Sequence, residues 1–202
     1  MTATAEQAPR IQFSHLGINV NDLALMEKYY CDTMGFFVTD RGEVPDLGIE
    51  LVFMSMDPTE HHQFVISTGR PTVYPADHKA NYFSGFINQI SFRLENLTDL
   101  RKMKARFEER GEEFFAGNHG MAWTIYTKDP EGNTLELFVD TPWMVPQPYL
   151  VPLDLDGLSD EEIYAETEAM CRSNTNFTEG DAYIAAQSKL MDRPAVTKPF
   201  KL

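Results

Sequence analysis

The stretch Ser-His-Leu-Gly-Ile-Asn-Val at residues 14–20 has a diverged copy at residues 88–94, which read Asn-Gln-Ile-Ser-Phe-Arg-Leu. A helical pattern follows each copy when His15 is aligned with Gln89. Each copy later contains an Asp-Pro turn that precedes a strand pattern, at Asp57 and at Asp129. An internal repeat of this kind predicts two modules with the same plan.

The first module is predicted to contain a strand, a helix and about three further strands. Its first strand, residues 12–20, alternates in character, so its apolar side chains face the core and His15 faces away. Asn21 or Asp22 is expected to cap the helix, which ends near Gly35. A turn is predicted at residues 42–45, and strands are predicted at residues 49–54 and 62–67.

The second module repeats this plan. A strand is predicted at residues 88–94, followed by a helix that Thr98 caps and that stops at Gly111. Strands at residues 122–127 and 134–139 close the module.

Residues 141–202 differ in character and predict an extension. Prolines space out Trp143, Tyr149 and Leu150 in an arm that is expected to lie across a neighbouring surface. Ser159 and Glu162 form a capping box that opens a helix, and a second short helix is predicted at residues 180–191.

Composition narrows the class of protein. A net charge of −14 argues against a nucleic-acid partner, which would require clustered Lys and Arg. No apolar run approaches the ~20 residues that span a bilayer, so a cytoplasmic location without membrane association is expected.

Cys31 and Cys171 are expected to be reduced, buried thiols. The acidic run at residues 154–157 lacks the closing Glu of a calcium loop.

Polar residues with metal-binding chemistry are expected on one face of the strands. Aligning the two Asp-Pro turns sets Phe64 opposite Glu136, which places His62 on the face that carries Glu136 in the sister strand. If the copies fold alike, His15, His62, Gln89 and Glu136 line the same concave side. A carboxylate among apolar neighbours is costly to bury unless it is paired or metal-bound.

The layout resembles the vicinal oxygen chelate superfamily. The matching segments are residues 15–23, Met-Gly-Phe at residues 34–36 and, most specifically, Asp-Pro-Glu-Gly-Asn-Thr-Leu-Glu at residues 129–136. The resemblance implies an α+β fold of paired βαβββ modules around a divalent metal, forming an open, barrel-like cleft. It covers residues 11–140, with modules at 11–68 and 86–140, between a disordered leader at 1–10 and a C-terminal arm and helices at 141–202.

Within that superfamily the chain looks like the type I extradiol catechol dioxygenases. The resemblance implies that His15 and Glu136 bind Fe²⁺, with Gln89 in the third ligand position. It also implies that His62 is the acid-base histidine and that Tyr126 and His119 hydrogen-bond the substrate. The expected substrates are a catechol-like aromatic diol and O₂, and the expected assembly is a homodimer or higher homo-oligomer.

Gln89 departs from the family, because a His normally stands there. An amide oxygen should weaken iron binding and shift the preference toward Mn²⁺ or another harder divalent ion. A redox-neutral isomerase or lyase therefore stays open, as does a metal-free small-molecule binding protein. A four-ligand glyoxalase centre is disfavoured because its fourth ligand position falls at Phe64.

Several further side chains are assigned more loosely. His61 is expected to face solvent, and His78 has no assigned role. An aromatic-lined pocket is suggested by a group of large side chains, some of which must belong to the core. They are Phe83, Phe86, Phe114, Phe115 and Trp123.

Overall fold

The chain divides into two compact units, Met1–Tyr74 and Pro75–Leu202, and each unit contains one of the two sequence copies. The computed structural model describes residues 15–44, 48–57, 62–70, 87 and 89–190. The leader at residues 1–10, His61, His78, Phe83 and Phe86 lie outside the described residues.

The first unit is one βαβββ module. Its elements in chain order are β1 (Leu16–Asn19), α1 (Leu23–Asp32), β2 (Phe37–Val44), β3 (Ile49–Ser55) and β4 (Phe64–Ser67). The sheet order is β1-β4-β3-β2, with β1 parallel to β4 and the other pairs antiparallel. Asp22 caps α1, because its side chain accepts the N–H of Leu25 at 2.9 Å.

The turn predicted at residues 42–45 is wrong for its described part. Residues 42–44 belong to β2, in which Gly42 pairs with Leu51 and Val44 pairs with Ile49. The β3 ladder supplies partners for these backbone groups, so one glycine does not end the strand. Pro45 lies outside the described residues.

Helix α1 covers one face of this sheet. Met26 and Tyr30 have no exposed surface, and their spacing of four places them on one side of the helix. The ring of Phe64 in β4 lies 4.6 Å from that of Tyr30 and 5.8 Å from that of Phe36. Phe64 therefore belongs to the face that packs against the helix.

The second unit repeats the module and adds to it. The repeat consists of β5 (Ile90–Arg93), α2 (Leu97–Arg110), β6 (Phe114–Asn118), β7 (Ala122–Lys128) and β8 (Thr134–Asp140). Strand β5 is parallel to β8, and β6, β7 and β8 are antiparallel neighbours. The sequence analysis did not assign β6. The predicted α+β fold of paired βαβββ modules is confirmed.

The start of α2 differs from the prediction. Asn96, and not Thr98, is the N-cap, because its side chain accepts the N–H of Asp99 at 3.0 Å. Both residue types can cap a helix, so the backbone decides, and the extended φ and ψ of Asn96 place its side chain over the first turn. The predicted end at Gly111 is confirmed, with a left-handed φ of 67°.

The C-terminal extension packs on the second unit. It contains β9 (Trp143–Met144), β10 (Val151–Pro152), α3 (Asp160–Arg172), β11 (Thr178–Glu179) and α4 (Gly180–Leu190). Strand β10 pairs with β6, and β11 pairs with β9. The predicted Ser159–Glu162 capping box is present at the start of α3.

No helix in the described ranges is long and apolar enough to cross a membrane.

Buried polar groups join α3 to the sheet. Thr167 Oγ1 accepts hydrogen bonds from Asn118 Nδ2 and Trp123 Nε1, both at 2.8 Å, and donates to the carbonyl of Ile163. Trp143 is 2% exposed and its ring lies 4.6 Å from that of Tyr164 in α3. The arm thus buries its tryptophan against its own unit, whereas Leu150 is 46% exposed.

The acidic residues at 154–157 and the two cysteines are also described by the structure. The Asp154 carboxylate accepts the N–H groups of Asp156 and Gly157 at 3.0 and 2.7 Å. These hydrogen bonds lower the pKa of Asp154, and the bond from Gly157 has the larger effect. The acidic run therefore forms a turn of its own. Cys31 is half-buried, Cys171 is buried, and both are free thiols.

The two candidate caps of α2 can be separated by mutation. Asn96→Ala should lower the free energy of unfolding by about 1 kcal/mol, the usual cost of losing an N-cap acceptor. Thr98→Ala is the matched control, because Thr98 is exposed and should change stability by less than about 0.5 kcal/mol. Urea denaturation of both variants measures the difference. Equal losses would contradict the assignment of the cap to Asn96.

Candidate functional site

The register of the two parallel strand pairs corrects one prediction. Gly17 pairs with Val65 in the first unit, and its counterpart Ser91 pairs with Glu136 in the second. Val65, and not Phe64, is therefore the structural equivalent of Glu136. The connection from the Asp-Pro turn to the strand is one residue longer in the first unit. A shift of one residue exchanges the two faces of a strand, which is why Phe64 lies against the helix.

The corrected register also changes which residue occupies the fourth ligand position of a four-ligand centre. The fourth ligand position falls at Val65 and not at Phe64, and Val65 is a buried apolar side chain without a donor atom. The conclusion that such a centre is disfavoured is therefore unchanged.

In the first unit, His15 and His62 lie together. Their ring centroids are 4.3 Å apart, and the ring of Phe53 in β3 lies 5.2 Å from that of His62. His62 precedes β4, which begins at Phe64, so the alternation of that strand does not fix its direction. His15 is exposed and His62 is half-buried. The structure thus brings together the two histidines of this unit to which the sequence analysis assigned roles.

In the second unit, Glu136 is the centre of a hydrogen-bond network. Its side chain oxygen Oε2 accepts from Gln89 Nε2 at 2.7 Å and from Ser91 Oγ at 2.6 Å. Oε1 accepts from Tyr126 Oη at 2.8 Å and from Thr124 Oγ1 at 3.2 Å. Glu136 is 8% exposed, and these four neutral donors compensate the burial of its charge.

Strand geometry explains why these donors converge. Ser91 is paired with Glu136 on one side and Tyr126 is paired with it on the other, so all three side chains share a face. Gln89 and Thr124 lie two residues from Ser91 and Tyr126 and therefore point to the same face. The sequence analysis missed Ser91 and Thr124. Alternation from Gln89 and Tyr126 could have identified both.

His119 extends this network beyond the sheet. It follows β6 in a turn in which Asn118 Oδ1 accepts the N–H of Gly120 at 2.8 Å. Gly120 has a left-handed φ of 76°, and a Cβ there would lie 2.6 Å from the Val145 side chain. The turn directs His119 Nε2 to Tyr126 Oη, at 3.0 Å, and His119 Nδ1 to the carbonyl oxygen of Tyr149, at 2.6 Å.

The hydrogen-bond partners limit where the protons of His119 can lie. A carbonyl oxygen only accepts, so Nδ1 carries a hydrogen. When Tyr126 donates to Glu136, its phenolic oxygen can accept a hydrogen bond from Nε2 only if that nitrogen carries a hydrogen. When Nε2 has no hydrogen, Tyr126 can donate to Nε2 and gives up its bond to Glu136. The single phenolic hydrogen therefore has two alternative acceptors.

The environment keeps Tyr126 protonated. Burial raises the pKa of its phenol above the usual value, and the neighbouring Glu136 carboxylate raises it further. A neutral phenol retains the hydrogen that it donates within the network.

Aromatic side chains divide between the two faces of this sheet. Phe115 stacks on Tyr126 with ring centroids 4.9 Å apart, on the network face. Phe114 lies 6.2 Å from Phe107 of α2, and Trp123 is buried beside Thr167. Phe114 and Trp123 are therefore among the side chains of this group that belong to the core, as expected for some of its members, because strand alternation turns them away from the network face.

The residues of the second unit offer oxygen donors to a cation. Gln89 Nε2 faces Glu136, an orientation that the surrounding donors and acceptors determine. Rotating that amide would place Gln89 Oε1 beside a Glu136 oxygen, and such a pair suits a hard divalent ion. Within the part of the chain that the structure describes, no three His, Cys, Asp or Glu side chains form a group that could hold a metal ion.

Comparison with known proteins identifies relatives. A family model described as Glyoxalase/Bleomycin resistance protein/Dioxygenase superfamily matches residues 12–137. The chain is also similar to biphenyl-2,3-diol 1,2-dioxygenase 2 of Rhodococcus globerulus, at 26% identity over 141 residues. That alignment covers 69% of this chain and 65% of the enzyme, which is just under two thirds of its length.

Solved structures share the fold. A glyoxylase/bleomycin resistance protein/dioxygenase domain from Frankia sp. EAN1pec matches with a TM-score of 0.54 and 18% identity, covering 66% of this chain and 94% of that chain. A fosfomycin resistance protein from Listeria monocytogenes matches with a TM-score of 0.50 and 16% identity, covering 64% and 94%. Identities this low support the fold and do not identify an activity.

The contribution of Ser91 to the network is measurable. Ser91→Ala should lower the free energy of unfolding by about 1.5–3 kcal/mol, the scale of a hydrogen bond to a charged group. Urea denaturation of protein treated with a chelator measures this loss. Ser173→Ala is the matched control, since its hydroxyl donates to the Met170 carbonyl at an exposed helix end. A loss no larger than the control would show that Ser91 does not stabilise the buried carboxylate.

Proposed function

Because the chain belongs to the glyoxalase/bleomycin resistance protein/dioxygenase superfamily, we propose that it is a metal-dependent extradiol-type dioxygenase that cleaves a catechol-like aromatic diol with O₂. The observation that carries the proposal is the hydrogen-bonded chain from Glu136 through Tyr126 to His119. The distant similarity to a biphenyl-2,3-diol dioxygenase supports the choice of a diol substrate.

The proposed metal ligands are His15, Gln89 and Glu136, and the proposed ion is Fe²⁺ or Mn²⁺. Carboxylate, amide and imidazole donors suit a divalent ion of this series. When bound, such an ion would supply Lewis acidity and sites for the diol and O₂. The contact between Gln89 and Glu136 supports their joint role, and Gln89 must rotate its amide to offer an oxygen.

Tyr126 and His119 are proposed to hold the proton that the reaction moves. The phenol of Tyr126 can donate its proton to a substrate oxygen in place of Glu136, and His119, when its Nε2 carries a hydrogen, can then transfer that proton to Tyr126 Oη. Phe115, stacked on Tyr126, presents an apolar ring beside these polar groups. An aromatic ring with adjacent hydroxyl groups matches this combination of surfaces.

His62 is proposed as the acid-base residue for a substrate hydroxyl. Its ring lies against those of His15 and Phe53, which restrict its orientation. A general base needs such restriction to remain within reach of the proton that it removes.

A second candidate function is a redox-neutral isomerase or lyase of the same superfamily. Gln89 favours it, because an amide oxygen binds ferrous iron more weakly than imidazole does. Among the described residues, the four side chains that donate to Glu136 are all neutral and leave its negative charge for a bound cation. Both features suit a harder, redox-inert ion.

Turnover of catechols tests the main proposal. Protein loaded anaerobically with Fe²⁺ or Mn²⁺ should cleave a catechol or biphenyl-2,3-diol in air, seen as a yellow product and as oxygen uptake. Tyr126→Phe should lower kcat by about 10²-fold or more, the usual effect of losing a group that handles a proton. Tyr183→Phe is the control, because Tyr183 is exposed on α4. Absence of ring cleavage with either ion would refute the dioxygenase assignment.

Metal titration tests the role of Gln89. Gln89→His should tighten Fe²⁺ binding about tenfold or more, because imidazole suits this ion better than an amide does. Gln187→His, which adds a histidine on α4, controls for non-specific binding. Anaerobic equilibrium titration gives both dissociation constants. Equal affinities in the parent and the Gln89 variant would mean that residue 89 does not face the ion.

A further inference from the structure

Gln147 joins the arm to the turn that carries His119. Its side-chain Nε2 donates to the backbone carbonyl of His119 at 2.9 Å, and its Oε1 accepts the backbone N–H of Tyr149 at 3.0 Å. One side chain thus connects His119 with Tyr149, the residue whose carbonyl oxygen accepts from His119 Nδ1 at 2.6 Å.

The arm is held in place on the other side of Tyr149 as well. Val151 and Pro152 pair with Asn118 and Gly117 of β6, and the N–H of Leu153 donates to the carbonyl of Ala116 at 3.1 Å. The peptide carbonyl at Tyr149 is therefore fixed between the β10 ladder and Gln147. This placement leaves Gln147 as the side-chain tether on the N-terminal side of that carbonyl.

We propose that Gln147 is a positioning residue that selects the tautomer of His119. With the Tyr149 carbonyl against Nδ1, a neutral ring must carry its hydrogen there, since a bare nitrogen would oppose a carbonyl oxygen at 2.6 Å. The lone pair then lies on Nε2, which faces Tyr126 Oη. Gln147 in this way determines which nitrogen of His119 can accept the phenolic hydrogen.

The consequence for chemistry rests on the proposed function. If His119 carried its hydrogen on Nε2, the neutral ring could only donate to Tyr126 and could not accept from it. Proton exchange between the two residues requires the tautomer that the Tyr149 carbonyl imposes. The C-terminal arm therefore contributes two groups to the site. They are the carbonyl oxygen of Tyr149 and the side chain of Gln147, which holds that carbonyl in place.

Nitrogen NMR tests the inference without metal or substrate. Protein labelled with ¹⁵N-histidine and treated with a chelator is studied at a pH where its imidazole rings are neutral, and long-range proton–nitrogen spectra give the tautomer. His119→Gln identifies the signals of that ring. The parent protein should show one tautomer, with hydrogen on Nδ1.

Three variants give the decisive comparison. Gln147→Ala removes the tether, and Gln147→Met removes the hydrogen bonds to His119 and Tyr149 while keeping the length of the side chain. In both, the Nδ1 and Nε2 signals of His119 should move toward each other as the tautomers mix. Asn174→Ala is the control, because Asn174 also accepts a backbone N–H, that of Asn176, in an exposed turn. Its His119 signals should match those of the parent.

Two results would overturn the inference. One is a parent protein in which neutral His119 carries its hydrogen on Nε2. The other is an unchanged Nδ1–H tautomer in both Gln147 variants, with their fold verified by circular dichroism. Neither result depends on turnover, so failure of the proposed function and failure of this inference are distinguishable.

Discussion

The buried carboxylate of Glu136 is the constraint on which the second unit depends. A charge that is 8% exposed is tolerated only when hydrogen bonds replace the water that it has lost. Four donors meet this requirement, two from the β5 side and two from β7. The strands must therefore pair in one register, because a slip of one residue would turn every donor away from the carboxylate.

All four of these donors are neutral, so the site retains the negative charge of Glu136. A cationic partner in hydrogen-bond contact would neutralise Glu136, whereas hydroxyl and amide donors satisfy its oxygens and leave its negative charge available to a bound cation. His119 Nε2 lies 3.9 Å from Glu136 Oε1, and the Tyr126 hydroxyl lies within hydrogen-bond distance of both. The Tyr126 hydroxyl thus lies between His119, which can carry a positive charge, and the negatively charged Glu136.

The C-terminal extension supports the end of the sheet at which His119 lies. Thr167 of α3 holds Asn118 and Trp123 through buried hydrogen bonds, and Asn118 in turn fixes the backbone at Gly120. The arm adds the Tyr149 carbonyl to this assembly. Residues that follow the repeated module are in this way connected to its most polar side chains.

The sequence by itself determined the repeated βαβββ plan. It also determined a cap for α1 at Asn21 or Asp22, the Gly111 helix end and the Ser159–Glu162 capping box, because each of these depends on neighbours within a few residues. It also singled out Gln89, Tyr126, His119 and Glu136. Only the tertiary structure decided that Val65 is the counterpart of Glu136, since a loop one residue longer shifts the register and leaves no local signal. It likewise decided that His119 Nδ1 meets the carbonyl oxygen of Tyr149, because Tyr149 is 30 residues away along the chain and hydrogen bonds at that separation form only when the arm folds back.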